Sequence, residues 1–134
     1  MPHDIPCVNT EYIPWTEATE VDSISRGYIG VMPLLDTPWE RGKCGYKLIQ
    51  YMACGLPVVA TPVGTNCELV ENGFNGFFAN TCEDWASALE HLLTQPDLRV
   101  RMGVAGRALF EQKYCIQVTG PKLVALFKKV SKAN

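Results

Sequence analysis

A chain of 134 residues, 47 % hydrophobic and 19 % charged, has the composition of one globular domain with a small core. Its 12 basic and 14 acidic residues leave a formal net charge of −2 and are spread along the sequence, so no cationic field is built that would draw a nucleic acid. No basic segment followed by an apolar stretch opens the sequence, and no run reaches the length of a membrane span; the expectation is a cytoplasmic protein without a transmembrane segment.

In chain order, Val8 to Trp15 reads as extended, with Val8, Tyr12 and Ile13 apolar and Pro14 ending the run, and predicts a strand over Val8–Ile13. Thr16, followed by Glu17 and Glu20, carries a capping signature and predicts a helix to about Arg26, closed by Gly27. Tyr28–Met32 reads as a buried strand ended by Pro33. Leu35 to Lys43 reads as a loop, because Pro38 and Gly42 break it and its charges need water.

The run from Gly42 to Gly64, GKCGYKLIQYMACGLPVVATPVG, is the most informative part of the sequence. A polar, glycine-bearing loop leads into an amphipathic helix with Leu48, Ile49, Met52 and Ala53 as its buried face, and the helix stops at Gly55. Pro57–Thr61 then has the apolar, β-branched character of a strand buried in a parallel sheet, and Pro62-Val63-Gly64-Thr65 ends it. Glu68–Glu71 predicts a short helical turn, and Asn75–Ala79 a tight turn into a last small strand.

Everything beyond is helical. Thr81 caps a helix with Trp85, Ala88, Leu89, Leu92 and Leu93 at helical spacing. Pro96 opens another, with Leu98, Met102, Ala105, Leu109 and Phe110 as its stripe. The stretch from about Gln117 to Lys132, with Val118, Leu123, Leu126, Phe127 and Val130, predicts an amphipathic helix across the back of the sheet. The fold class is therefore α/β, a partial Rossmann-like three-layer domain with a short, mostly parallel sheet, flanking helices and a helical C-terminus. One domain over 1–134 divides into a lead-in strand and helix (about 1–27), strands and loops that carry the site (28–80) and C-terminal helices (81–134).

The loop before the central helix can aim backbone N–H groups and the positive end of the helix dipole at a phosphate, with Lys43 and Lys47 beside it. Their spacing of four equally suits two solvated residues at a helix start. Trp39 and Tyr46 flank the loop; stacking on a sugar or base is one reading, and packing against the neighbouring strand is the simpler one. Gly42-Lys43-Cys44-Gly45 is not a Walker loop, since the glycine spacing and the following serine or threonine are absent. His3 and His91 have no nucleophile or acid set around them. The cysteines (Cys7, Cys44, Cys54, Cys67, Cys82, Cys115) form no C-x-x-C pair and have irregular spacing, so no metal site and free thiols are expected.

Several segments in order, Gly30-Val31-Met32-Pro33-Leu34, Lys47 through Ala60, Pro62-Val63-Gly64, Glu68-Leu69-Val70 and Asn75-Gly76-Phe77, resemble the C-terminal, donor-nucleotide-binding part of retaining glycosyltransferases of the GT-B fold, family-four type. The resemblance implies binding of a UDP- or GDP-sugar, with no metal and no other cofactor, and transfer of a glycosyl group with retention. Onto this chain it carries Lys43, Cys44, Gly45, Tyr46, Lys47, Gln50, Gly64, Thr65 and Glu68 as donor-site residues. Family members usually place two glutamates eight positions apart on this helix; here those positions are Gly42 and Gln50. Gln50 retains a carbonyl acceptor for a ribose hydroxyl but no charge. Glu40 is the carboxylate nearest the first position, and it replaces the missing acid if the loop bulges. Lys47 matches a family variant that has a lysine three residues before the second position.

By the resemblance the chain also lacks the acceptor-binding N-terminal domain, the first strands of the donor domain and the arginine-and-lysine pair that holds the pyrophosphate. It is accordingly expected to be inactive alone and to serve with an N-terminal domain or partner chain. The strand at Tyr28–Met32 would be left as an apolar edge, which predicts a homo-oligomer, and Val8–Ile13 would not lie beside it. The alternative is a non-catalytic assembly module that keeps the fold, supported by the two missing glutamates.

Overall fold

A computed structural model describes residues 9–131. It is an α/β unit around a three-stranded parallel sheet, β1 (Gly30–Met32), β2 (Val58–Ala60) and β3 (Gly76–Phe78), in the order β1-β2-β3. Gly30 pairs with Val58 and Val58 with Gly76, so the three strands lie in register along their whole length. The helices are α1 (Glu20–Ser25), α2 (Pro38–Arg41), α3 (Tyr46–Ala53), α4 (Asn66–Leu69), α5 (Cys82–Thr94), α6 (Pro96–Lys113) and α7 (Ile116–Ser131).

The central strand is buried on both faces, as its apolar run predicts. Val58 and Ala60 pack with Leu48 and Met52 of α3 and with Leu69 and Val70; Val59, on the opposite face, packs with Ala79, Ala88, Leu92 and Met102. The α3 side chains on the first face are the ones its 3.6-residue period selects. On the second face α5 begins with a full capping box: Thr81 Oγ1 accepts from the Asp84 amide at 3.1 Å, and the Asp84 carboxylate accepts from the Thr81 amide at 2.9 Å. These donors hold the Asp84 carboxyl below its usual range.

Helix α6 ties the faces together by passing close to the turn that joins α3 to β2. A Cβ at Gly103 would collide with the Gly55 carbonyl oxygen, and one at Gly106 would stand 3.1 Å from Met52 Cγ. Arg107 of α6 donates to the Ala53 carbonyl at the C-terminal end of α3.

Six expectations need correction. Residues 9–13 form no strand, while Val8 lies outside the described residues; Tyr12 is 71 % exposed, so the segment has neither a ladder nor a core to hold it. The helix expected from Thr16 begins only at Glu20, because Thr16 closes a turn by accepting from the Thr19 amide and Thr19 becomes the N-cap. The Leu35–Lys43 loop contains α2, started by the residue taken as a breaker: Pro38 occupies the first helical turn and Thr37 Oγ1 accepts from the Glu40 amide. Leu93 of α5 is exposed. Helix α7 packs on α6 rather than across the sheet, and Leu123, Leu126, Phe127 and Val130 point to solvent. The buried strand expected at Tyr28–Met32 is shortened to β1 (Gly30–Met32), with Tyr28 exposed before it and Val31 exposed within it, because β1 is an edge among the described residues.

The Gly103 approach yields a stability prediction. Gly103→Ala should lower unfolding free energy by about 1–3 kcal/mol in urea denaturation, as overpacking does.

Candidate functional site

Strands β1 and β2 are parallel neighbours, so the loops that follow them open at the same end of the sheet, where open α/β sheets hold ligands. Thr61 joins the two loops: its Oγ1 accepts from the Leu34 amide at 3.2 Å and its own amide donates to the Met32 carbonyl. Asn66, 1 % exposed, donates from Nδ2 to the Thr61 carbonyl at 2.9 Å and so fixes the start of α4 beneath the same loop.

Two left-handed glycines then close the loops on each other. Gly45, the N-cap of α3, has φ +68°, and a Cβ there would overlap Leu69 Cδ1 and stand 3.5 Å from Thr65 Cγ2. Gly64 has φ +54°, and its Cβ would lie 2.6 Å from the Arg41 carbonyl oxygen. Arg41, Gly45, Gly64 and Thr65 are thereby brought to one place. Arg41 is itself held by Asp36, through Nε to Oδ1 at 2.6 Å and Nη2 to Oδ2 at 2.9 Å, and it keeps the Asp36 carboxyl below its usual range.

Between these glycines stands the N-terminus of α3. No side chain caps it and no acid lies in its first turn, so the amides of Tyr46, Lys47 and Leu48 keep their donors free of helical partners. The arrangement is a concentration of positive potential on a rigid backbone.

The profile of the family Glycosyl transferases group 1 matches residues 9–95. The chain belongs to that family. Among curated relatives, D-inositol 3-phosphate glycosyltransferase of Gordonia bronchialis is 36 % identical over 81 residues, covering 59 % of this chain and 18 % of that protein. Alpha-D-kanosaminyltransferase of Streptomyces kanamyceticus is 27 % identical over 104 residues, covering 76 % of this chain and 26 % of its own length. The chain thus spans about a fifth to a quarter of these relatives. In shape it is similar to Anabaena HepE, whose crystal structure was solved in complex with UDP-glucose, at a TM-score of 0.64 and 22 % identity over 80 % of this chain and 29 % of that one. The α/β architecture is that of the GT-B glycosyltransferases.

The site residues expected from the sequence fall into four places in this group 1 glycosyltransferase domain. Gly45, Gly64 and Thr65 meet around the α3 N-terminus, and exposed Cys44 and Tyr46 border it. Trp39 and Tyr46 are 81 % and 59 % exposed, which corrects the simpler expectation that they pack against the neighbouring strand. Lys43 pairs with Glu40, Nζ to Oε2 at 2.6 Å, and Glu40 sits in α2 as the partner of a lysine. One turn further along α3, Lys47 and Gln50 turn toward α1. Glu68, exposed on α4, borders a separate cleft of about 570 Å³ with Glu71, Phe74, Leu109 and Lys113.

Glu20 and Trp15 are the residues that sequence reasoning missed. Glu20 Oε1 accepts from Trp15 Nε1 at 2.8 Å and lies 3.7 Å from Lys47 Nζ. The Gln50 amide, the Trp15 indole and Lys47 together hold the Glu20 carboxyl below its usual range, the Gln50 hydrogen bond contributing most. Gln50 Oε1 is buried and accepts from no donor among the described residues. Glu20 read only as an acid near a helix start, and no local pattern links it to residues on α3.

A carboxylate with a depressed folded-state pKa stabilises the structure above its unfolded pKa and loses that contribution as pH falls through the folded value. The tie between α1 and α3 should therefore be intact at neutral pH and loosen only below the ordinary glutamate range of about 4.5. The Trp15 indole N–H resonance should titrate with a midpoint under that value, and Glu20→Gln should abolish the titration; a midpoint at or above it contradicts the arrangement.

Proposed function

We propose that this domain holds the nucleoside diphosphate of a UDP- or GDP-sugar at the N-terminus of α3 and serves glycosyl transfer with retention as one part of a larger catalytic unit. The observation that carries the reading is the uncapped α3 N-terminus, set between Gly45 and Gly64 with Lys43 and Lys47 on the adjoining turns. A departing sugar leaves its diphosphate with added negative charge, and fixed N–H donors with nearby ammonium groups stabilise that charge without reorganising. Cys44, Tyr46 and Thr65 border the anion, and Glu68 stands at the outer margin of the donor on α4. Ribose is assigned to Gln50, whose buried Oε1 lacks a donor that a sugar hydroxyl supplies. Glu40 acts through Lys43, as its ion-pair partner, and no protein nucleophile is invoked.

The family of the relatives and the UDP-glucose complex of HepE support this chemistry. In this reading the acceptor site is assigned to another domain or partner chain, and the chain alone is read as inactive; that it spans only part of those proteins' length is compatible with the assignment. The reading includes no metal and a reduced, cytoplasmic setting for the free thiols of Cys44 and Cys67.

A second reading, a non-catalytic module for self-association or partner binding, is favoured by the edge of β1, unpaired among the described residues and with Val31 exposed, and by the apolar face of α7. Calorimetry and saturation-transfer NMR with UDP-glucose and GDP-sugars separate the two. Binding that survives EDTA and weakens about tenfold or more in Lys43→Ala/Lys47→Ala supports the donor site, a loss of about 1.4 kcal/mol or more. No binding at millimolar ligand, together with a stable dimer in sedimentation, supports the module.

A further inference from the structure

Both lysines assigned to the diphosphate are already engaged, and the two engagements differ in kind. Lys43 pairs with Glu40 three residues away, in the short segment that joins α2 to α3, so that pair is built into the loop itself. Lys47 pairs with Glu20, which belongs to a separate helix far back in the sequence. Helix α1 has six residues, none of them buried, and the side chain of its N-cap Thr19 caps no helix amide, bonding instead to the Thr16 hydroxyl. None of its residues is buried in the core, and Glu20 reaches Lys47 of α3. Glu20 is in turn held by the Trp15 indole, from a segment whose aromatic ring is 68 % exposed. A small cavity of about 210 Å³ lies along this contact, bordered by Trp15, Glu20 and Lys47.

From this geometry we infer that Glu20 is an internal competitor for the donor diphosphate: it occupies the Lys47 ammonium in the unliganded protein, and an arriving diphosphate displaces it and releases α1 together with Trp15. The inference rests on the donor-site reading above, since it concerns the occupancy of the same lysine. Physically it requires only that one ammonium serve two anions in turn. The Glu20 pair is long, at 3.7 Å, and Lys47 keeps 49 % of its side-chain surface in solvent against 20 % for Glu20. At that distance, with the ammonium half exposed, the pair contributes little to stability and leaves Lys47 open to a second anion. A diphosphate brings more charge than one carboxylate, and at this end of α3 it also gains the helix amides, which a carboxylate bound on Lys47 from the α1 side does not reach. Loss of Glu20 from Lys47 also frees the Gln50 amide that Glu20 engages, so the α3 side chains assigned to phosphate and ribose are released by one event.

The contact therefore sets a threshold on donor binding and couples occupancy of the site to the position of the N-terminal segment. The coupling is reciprocal: whatever holds α1 against α3 weakens the anion, and the anion weakens the hold of α1.

The test compares UDP binding to the wild-type chain, Glu20→Gln and Glu17→Gln by calorimetry, with the Trp15 indole N–H followed by NMR during each titration. Glu17 lies in the turn before α1 and removes the same charge without touching Lys47. The expected result is that Glu20→Gln tightens UDP about two- to fivefold, the range set by an exposed ion pair, while Glu17→Gln changes it less. In the wild type the Trp15 resonance should move on saturation with UDP toward its position in unliganded Glu20→Gln. Damage to folding would weaken binding, so tightening is not a structural by-product. If UDP binds and Glu20→Gln leaves affinity unchanged or lower, or the Trp15 signal stays fixed at saturation, the competition is overturned and the donor site stands. If UDP binds to neither the wild type nor Glu20→Gln, the donor-site reading fails and the competition with it. Binding to Glu20→Gln alone would establish both.

Discussion

The turn that joins α3 to β2 has to lie almost in contact with α6, and the rest of the fold is arranged around that approach. The Gly55 carbonyl oxygen leaves no room for a side chain at Gly103 on the helix, and Gly106 makes the same allowance one turn later for Met52. With the backbones this near, Met52 and Leu48 are driven down onto β2, and Met102 and Leu98 of the same α6 reach the opposite face. Three strands of three residues each make a small sheet, and by themselves they would not hold a domain together. Clamping by one long helix that serves both faces compensates for the short strands.

The same clamp determines what the loop end of the sheet can do. Because α3 is fixed at its C-terminal end by the Gly55 turn and by Arg107 on the Ala53 carbonyl, its N-terminal end cannot shift along the axis. Leu69 pressed against Gly45 stops it from rotating. The free amides of the first turn therefore point to one place before any ligand arrives, and such preorganisation is what lets modest dipoles stabilise a developing charge. A more loosely held helix with the same residues would spend the interaction on its own reorientation.

How far this was legible from the sequence depended on whether the signal was local. Val58-Val59-Ala60 and the Leu48/Met52 stripe announce their burial through composition and period, and Thr81 with Asp84 announces a cap. Pro38 misled because a proline breaks a helix interior yet favours a first turn, and only the Thr37 hydroxyl on the Glu40 amide decides between those outcomes. The strand expected over Val8–Ile13 differs for the opposite reason: an alternating apolar pattern states a preference, but a strand needs a ladder, and residues 9–13 are not part of the sheet. The lysines and glycines of the loop could be read from their positions beside a helix start. The carboxylate partner of Lys47 could not, since Glu20 reaches Lys47 and Gln50 only through the packing of α1 beside α3.

That pattern of pairing bears on why Gln50, rather than a carboxylate, is tolerable on α3. A glutamate at position 50 would stand beside Glu20 and, with Lys47 the cation nearest both, would leave the cluster with an excess of negative charge against an unliganded site. A glutamine donates its amide to Glu20 instead, turning a repulsion into a hydrogen bond, and leaves the Oε1 acceptor unpartnered inside the contact. The neutral side chain and the α1 carboxylate are thus two halves of one arrangement: with Glu20 in place, an amide at position 50 is the residue that both satisfies the acid and keeps an acceptor in reserve.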